Sequence, residues 1–498
     1  MLLRRLHLAL PILILTAGLS LAIEPAAATK THKITKPATN PDGSVKKAPA
    51  AKPYKTKSIK SRKMKSSKST SAKSIAPKST SDSYSTTPRT TAVSLRTPVP
   101  STSREALLDR IQHSLSTPRI AIENPRALRP FFEQLHQLEL DPKSELVRVI
   151  QFGDSHTAAD LFTGALRTLF QQKFGDGGAG FSYAGYPFAG YKIHGTHRAQ
   201  STGWLALGTH LKDIGDGMVG MGGVSLSTDA AGNWVSLDAD ATSLQVQYLI
   251  QPNGGNIEIR DNDTLIATVP TASSDTAAPD TAGHFDALVE PGPHHFEVLT
   301  VNQAPVRLLG LSTENAAGIT YEAAGINGAE ASLFLRWNEA LQQTLMLETN
   351  PALIVLSYGT NEASDHNWTE EGYASMFQRI IERCHRLAPK AAILVVGPPD
   401  RALRASRRAW KPFNGVDRIV AAQRSVCRQM NCAYWDQRSR MGGLGSMRDW
   451  VSISWAQPDH THFTGEGYTE LASALFSDIT DQYDKYEPAI TRAQGETK

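Results

Sequence analysis

The 498-residue sequence predicts an α/β/α sandwich whose chain is interrupted by an inserted all-β domain of sandwich or jelly-roll type. Three observations carry this. Short apolar runs such as ELVRVIQF (145–152), ALIVLSY (352–358) and AAILVVG (391–397) read as strands buried on both faces, the pattern of a parallel sheet covered by helices. Stretches with apolar residues at helical spacing separate those runs, the alternation of an α/β domain. Between 200 and 311 the texture changes to short alternating segments (WVSLDA, SLQVQYLI, NIEIRD, TLIATV, HHFEVLTV) divided by Gly, Asn, Asp and Pro turns, which is the pattern of an antiparallel sheet.

In chain order, Ser103 caps a helix over 104–115, where Ala106, Leu107, Ile111 and Leu115 fall on one face. A second helix is expected over 128–138. The strand 145–152 runs into Gly153-Asp154-Ser155, and a helix over 158–174 follows it. After the β-rich stretch the predicted order is helix 331–347, strand 352–358, helix 373–387, strand 391–397, helix 416–430, strand 433–436 and helix 468–484. The β-rich stretch therefore interrupts one α/β domain. That domain spans 101–199 and 312–485, the insertion 200–311, and residues 486–498 form a tail.

Charge divides the chain further. Residues 30–96 hold 14 Lys and 3 Arg against Asp42 and Asp82, a net of +15, and residues 1–29 hold +1. Subtracting both from the total of +4 leaves −12 on the remainder, so an acidic globular part follows a basic segment. Residues 29–100 are rich in Lys, Ser, Thr and Pro and too poor in apolar residues to build a core, which predicts a disordered tether. Its charge suits anionic lipid headgroups or an anionic wall polymer. The first 28 residues read as an export signal, with Arg4 and Arg5 ahead of an apolar stretch and Ala26-Ala27-Ala28 at the exit; an uncleaved anchor is the alternative. Export places the chain in the periplasm, held at the membrane through the tether or an uncleaved signal, and argues against nucleic acid as the tether's partner. Cys384, Cys427 and Cys432 are too few for a disulfide scaffold, and buried free thiols are the expected state.

The chemistry gathers at predicted strand ends. Gly153-Asp154-Ser155 puts a hydroxyl at the carboxyl edge of the sheet, where α/β sheets keep their ligands. A serine attacks only with a base to take its proton and donors to hold the oxyanion. Asp459 and His462, three residues apart in DHTH, can supply a base and the carboxylate that orients it. The strand ALIVLSY ends in Gly359-Thr360-Asn361-Glu362, a further polar set at that edge. On residue type alone Asp459, His460 and His462 could also bind a metal, but no Cys, Asp or Glu cluster at ligand spacing joins them, and neither metal nor cofactor is expected. The run GAGFSYAGYPFAGYKIHG (178–195) has two readings, a groove wall that stacks sugar faces or a loop packed on the core; Trp204 and Trp234 divide the same way.

These segments resemble, in order, the sequence blocks of the SGNH/GDSL hydrolases: GDSH at 153–156, GINGA at 325–329, GTNE at 359–362 and DHTHF at 459–463. The resemblance implies Ser155 as nucleophile, Asp459 and His462 as the rest of a triad, and Ser155, Gly328 and Asn361 as oxyanion donors. Gly325 is the rival of Gly328. GDSH and GTNE depart from the commoner GDSL and GxND. With the insertion between the first two blocks, both departures resemble the bacterial periplasmic peptidoglycan O-acetylesterases, in which the inserted part is similar to carbohydrate-binding modules. The implied activity is removal of acetyl from the C6 hydroxyl of muramic acid without a cofactor. An O-acetyltransferase, an acetyl esterase on xylan-type glycan and a wall-binding protein with an inactive fold are the alternatives.

Overall fold

The computed structural model describes residues 101–488 apart from 119, 144, 210, 276 and 408. The expected signal and tether, and most of the expected tail, lie outside the described residues.

Five parallel strands form the central sheet: β1 (Leu146–Gly153), β2 (Gly318–Gly325), β3 (Leu353–Ser357), β4 (Ala392–Val396) and β5 (Ala433–Trp435). Their order across the sheet is β2-β1-β3-β4-β5. That order reverses direction between β1 and β3, and such a switch point opens a crevice at the carboxyl ends of the strands. Both faces are covered, as the unbroken apolar runs require. Val147 and Val149 of β1 pack into one core with α1 (Ser101–Ser116), α2 (Arg129–Leu140), α4 (Leu161–Phe174) and α8 (Gly465–Tyr483). Ile150 and Phe152 face the opposite core, built with α5 (Glu339–Thr349), α6 (Glu370–Leu387) and α7 (Gly415–Gln429). This is an SGNH-hydrolase-like α/β fold.

Two expected helices break. The helix over 158–174 splits into the single turn α3 (Ser155–Ala158) and α4, because Asp160 adopts a left-handed backbone (φ 52°). The strain is offset by its buried carboxylate, which accepts hydrogen bonds from Thr163 Oγ1 and His194 N and pairs with Arg167. The stretch 331–347 becomes a 3-10 turn (Ala331–Leu335) followed by α5, whose start is set by Asn338 accepting from Leu341 N. The hairpin Ala402–Arg404/Trp410–Pro412 has no signal in the apolar pattern.

The connection from β1 to β2 carries a second sheet of nine strands. It also recruits Gly180–Ser182 and His197–Gln200, ahead of the predicted start at 200. Two long strands, Trp234–Ile250 and Thr281–Thr300, pair along most of their length, with a register shift between Ala241 and Ser243. The shift changes which residues point inward. Before it Val235, Leu237, Ala239 and Ala241 are buried, after it Leu244, Val246 and Tyr248, and all seven share one core. Met218, Val219, Met221 and Leu309, by contrast, pack into the α/β core with α5 and α6. Cys384, Cys427 and Cys432 are buried and free.

Candidate active site

The register brings three loops to one level. Gly153, the last residue of β1, lies opposite Gly325 of β2 on one side and Ser357 of β3 on the other. The loops that follow these residues carry Ser155, Gly328 and Asn361. A side chain at Gly153 would meet Thr157 Oγ1 at 2.2 Å and Ser357 O at 2.8 Å, so the tight turn into α3 requires glycine. Asp154 caps that turn. Its Oδ1 accepts from His156 N at 2.9 Å, and its carbonyl accepts from Thr157 N and Ala158 N. These bonds leave the Ser155 amide without an internal acceptor among the described residues.

Ser155 Oγ lies 2.9 Å from His462 Nε2, and His462 Nδ1 lies 2.7 Å from Asp459 Oδ2. The other Asp459 oxygen accepts from the amides of Thr461 (2.9 Å) and His462 (3.0 Å), so the carboxylate folds the loop that presents its own histidine. Gln457 N donates to His462 O and closes the turn from behind. Burial pushes the Asp459 carboxyl up, but the His462 ring and these two amides outweigh it and hold it below the usual carboxylate range. With Asp459 accepting from Nδ1–H, the Nε2 lone pair of His462 faces the serine hydroxyl. This is the geometry of a nucleophile, a base and an orienting carboxylate.

The neighbouring residues divide sharply. Asp154 is buried, and burial raises it to about 6. His156 is also buried and is driven down to about 3, first by burial and then by the charges of His462 and Arg401; its Nδ1 is 2.8 Å from the Tyr468 hydroxyl. His460 turns away from the triad with φ 56°, and its ring stacks on Trp410 at 4.0 Å between centroids.

The two glycines differ in their surroundings. Gly325 is buried, and a Cβ there would strike Ala158 N at 2.4 Å, so it serves close packing against α3. Gly328 is exposed with φ 76°, in the turn closed by Ala329 N donating to Ile326 O. Two bonds from the third loop fix this turn: Asn361 Nδ2 donates to Ala329 O (2.9 Å), and Ala331 N donates to Glu362 Oε1 (2.8 Å). One Asn361 N–H remains for a ligand. Glu362 is fully buried, which raises its carboxyl to about 8.

Sequence reasoning missed two of these groups. Glu362 was visible only as part of a block. Arg401 donates to Thr360 O and Ser364 Oγ, both at 2.8 Å, and its charge acts on Asp154 and Asp459. Its one signal was its place just past a strand's carboxyl end, in GPPDR. The loop 178–195 packs on the core through part of its length. Phe181, Tyr183 and Tyr191 are core, whereas Tyr186 is exposed. Trp204 and Trp234 are half-buried, and Trp204 Nε1 donates to Trp234 O.

The GDSL-like Lipase/Acylhydrolase family model matches residues 293–469. It takes in the loops of Gly328, Asn361 and His462, whereas the Ser155 turn precedes it in the sequence. A solved peptidoglycan O-acetylesterase is 26% identical and superposes with a TM-score of 0.61, over 72% of this chain and 97% of that one. A family two carbohydrate esterase from Cellvibrio japonicus is 12% identical over 59% of this chain and 99% of that one, with a TM-score of 0.26. No curated protein sequence matches the chain.

Proposed function

Taking as premise that the chain carries a GDSL-like acylhydrolase domain and is a carboxylic ester hydrolase, we propose that it removes O-acetyl groups from a cell-wall polysaccharide, the C6 O-acetyl of muramic acid in peptidoglycan. The observation that carries this reading is the relay Ser155–His462–Asp459 at the switch point of the sheet, on a chain that superposes with a peptidoglycan O-acetylesterase over most of its described length.

The chemistry runs in two displacements. His462 Nε2 takes the proton of Ser155 as Oγ attacks the acetyl carbonyl, and Asp459 stabilises the imidazolium that forms. The oxyanion is held by Ser155 N–H, Gly328 N–H and the free N–H of Asn361. Collapse breaks the bond to the sugar oxygen, which takes the proton from His462 and leaves as a hydroxyl. Water activated by His462 then releases acetate from acetyl-Ser155. Export by residues 1–28 and retention by the basic tether belong to the same proposal, as does polymer holding by the nine-stranded sheet.

The test is acetate release from purified O-acetylated peptidoglycan set beside acetylated xylan. Faster release from peptidoglycan is the expected result. Preference for xylan moves the enzyme to plant-type glycan, and acetyl transfer to an added sugar in place of acetate release makes it a transferase.

A further inference from the structure

A cleft of about 600 Å³ opens along the segment 186–198 and plays no part in the chemistry above. It is lined by Tyr186, Tyr191, Lys192, His194, His197 and Arg198. Two hydrogen bonds tie the segment that forms it to the loops near the active site. Asn327 Nδ2, next to Gly328, donates to Ala189 O at 3.1 Å, and His194 N donates to Asp160 Oδ2 at 2.7 Å, five residues beyond Ser155.

Arg198 is the unusual group in this cleft. Its guanidinium lies over the Tyr191 ring, 5.4 Å from the centroid. Nε and Nη2 are buried without a hydrogen-bond partner among the described residues. Asp160, whose field reaches Arg198, is already taken by Arg167, Thr163 and His194 N. Burial therefore opposes the charge of Arg198, and no acidic side chain pairs with it. A buried cation left unpaired is costly, and a cleft that keeps one facing Lys192 and two histidines is preorganised for an anion. Nη1 is the guanidinium nitrogen left open, and it can donate a charge-assisted hydrogen bond to a carboxylate oxygen. Exposed Tyr186 offers an aromatic face beside it, the surface that stacks on a sugar ring.

We infer that this cleft is a carboxylate-binding subsite: Arg198, flanked by Lys192, His194 and His197, holds a carboxylate of the acetylated glycan while the ester lies at Ser155. The inference rests on the glycan-esterase reading above. The carboxylate comes either from the acid group on the sugar itself or from a peptide attached to it.

The experiment uses the full chain and three soluble O-acetylated glycan oligomers: one with free sugar carboxylates and no peptide, one with peptide attached, and one with all carboxylates converted to amides. Acetate release gives kcat/KM on each. At least one carboxylate form should exceed the amidated form about tenfold to hundredfold, the scale of a charge-assisted pair. Whichever form shows the gain identifies the source. Arg198→Gln should erase that ratio, chiefly through KM, and Arg198→Lys should restore part of it, with circular dichroism and melting temperature confirming the fold. Should Arg198→Gln fail to fold, the wild-type ratio alone still decides. Equal rates on carboxylate and amide forms overturn the subsite and leave the esterase reading intact, whereas no acetate from any of the three overturns the esterase reading itself.

Discussion

Glu362 offers the sharpest quantitative test, because its carboxyl is buried, braces the loop that carries Gly328, and keeps its proton to about pH 8 instead of the usual 4.5. Folding therefore binds a proton that the unfolded chain releases above pH 4.5. The sign follows by linkage. The wild type is unpenalised below pH 4.5, loses stability as pH rises from 4.5 to 8, and levels off above 8. A proton held about 3.5 decades more tightly corresponds to about 5 kcal/mol, of which about 4 kcal/mol accrues between pH 5 and 8.5. Glu362→Gln keeps an oxygen for Ala331 N and cannot ionise. Its amide replaces Oε2, a buried atom with no partner, and so adds a second unpaired N–H where the protonated wild type leaves one O–H unpaired, which should cost about 1–3 kcal/mol at pH 5. The variant should thus be less stable than wild type at pH 5 and more stable at pH 8.5. Asp154 and Glu322 are also raised by burial, to about 6 and about 7, and give both proteins slopes of the same sign, so the difference between the two isolates Glu362. Melting temperatures of both proteins in matched buffers from pH 5 to 8.5 suffice, and a difference that does not change with pH refutes the reasoning.

Ser155→Ala should lower acetate release by at least about 10⁴-fold without changing the melting temperature, since only oxyanion donors and positioning remain; residual activity above that level, or loss of labelling by a fluorophosphonate in neither protein, refutes Ser155 as nucleophile. Asn361→Ala should reduce kcat by about 10²–10³ with KM nearly unchanged, and a change confined to KM would reassign it to substrate binding. Deleting 29–100 should leave small-ester turnover intact and weaken sedimentation with anionic vesicles at low salt; an unfolded product would refute the tether reading. Excising 200–311 should give insoluble protein, because the cut removes Val219, Met221 and Leu309 from the α/β core and breaks the strand Val306–Glu314; a soluble, active product would show the two cores to be separable.

Four of the five parallel strands were legible because burial on both faces turns each into a continuous apolar run, whereas β2 was missed because Thr320 and Glu322 interrupt its apolar pattern although both are buried. The site loops were legible because they begin where those runs stop. What escaped the sequence depends on long-range partners. The break at Asp160 exists because Arg167 and His194 N neutralise its carboxylate, and no local propensity encodes that. Arg401 reaches Thr360 across 41 residues. The inserted sheet was legible because its alternation is local, whereas Met218, Val219, Met221 and Leu309 join the other core through contacts that periodicity does not register. Gly325 and Gly328 are equivalent as letters, and only the crowding of Ala158 against the first tells them apart.

Burial in this site selects which group moves a proton. Three histidines lie near Ser155, in His156, His460 and His462. His156 has its Nδ1 engaged by Tyr468 and is held to about 3, so it stays neutral whenever the enzyme works. His460 is also lowered by burial and is held by stacking on Trp410. Only His462 has both a hydroxyl on Nε2 and a carboxylate on Nδ1. The neutrality of His156 matters to that pair. Its ring centroid is 5.1 Å from that of His462, and a charge there would oppose the imidazolium that forms as Ser155 attacks. The carboxylates divide in the same sense. Asp154 is pushed up by burial and spends its Oδ1 on the turn that aims Ser155, while Asp459 is held down by the His462 ring and two amides. One neutral histidine and one raised carboxyl shape the turn, leaving Asp459 as the anion that faces His462.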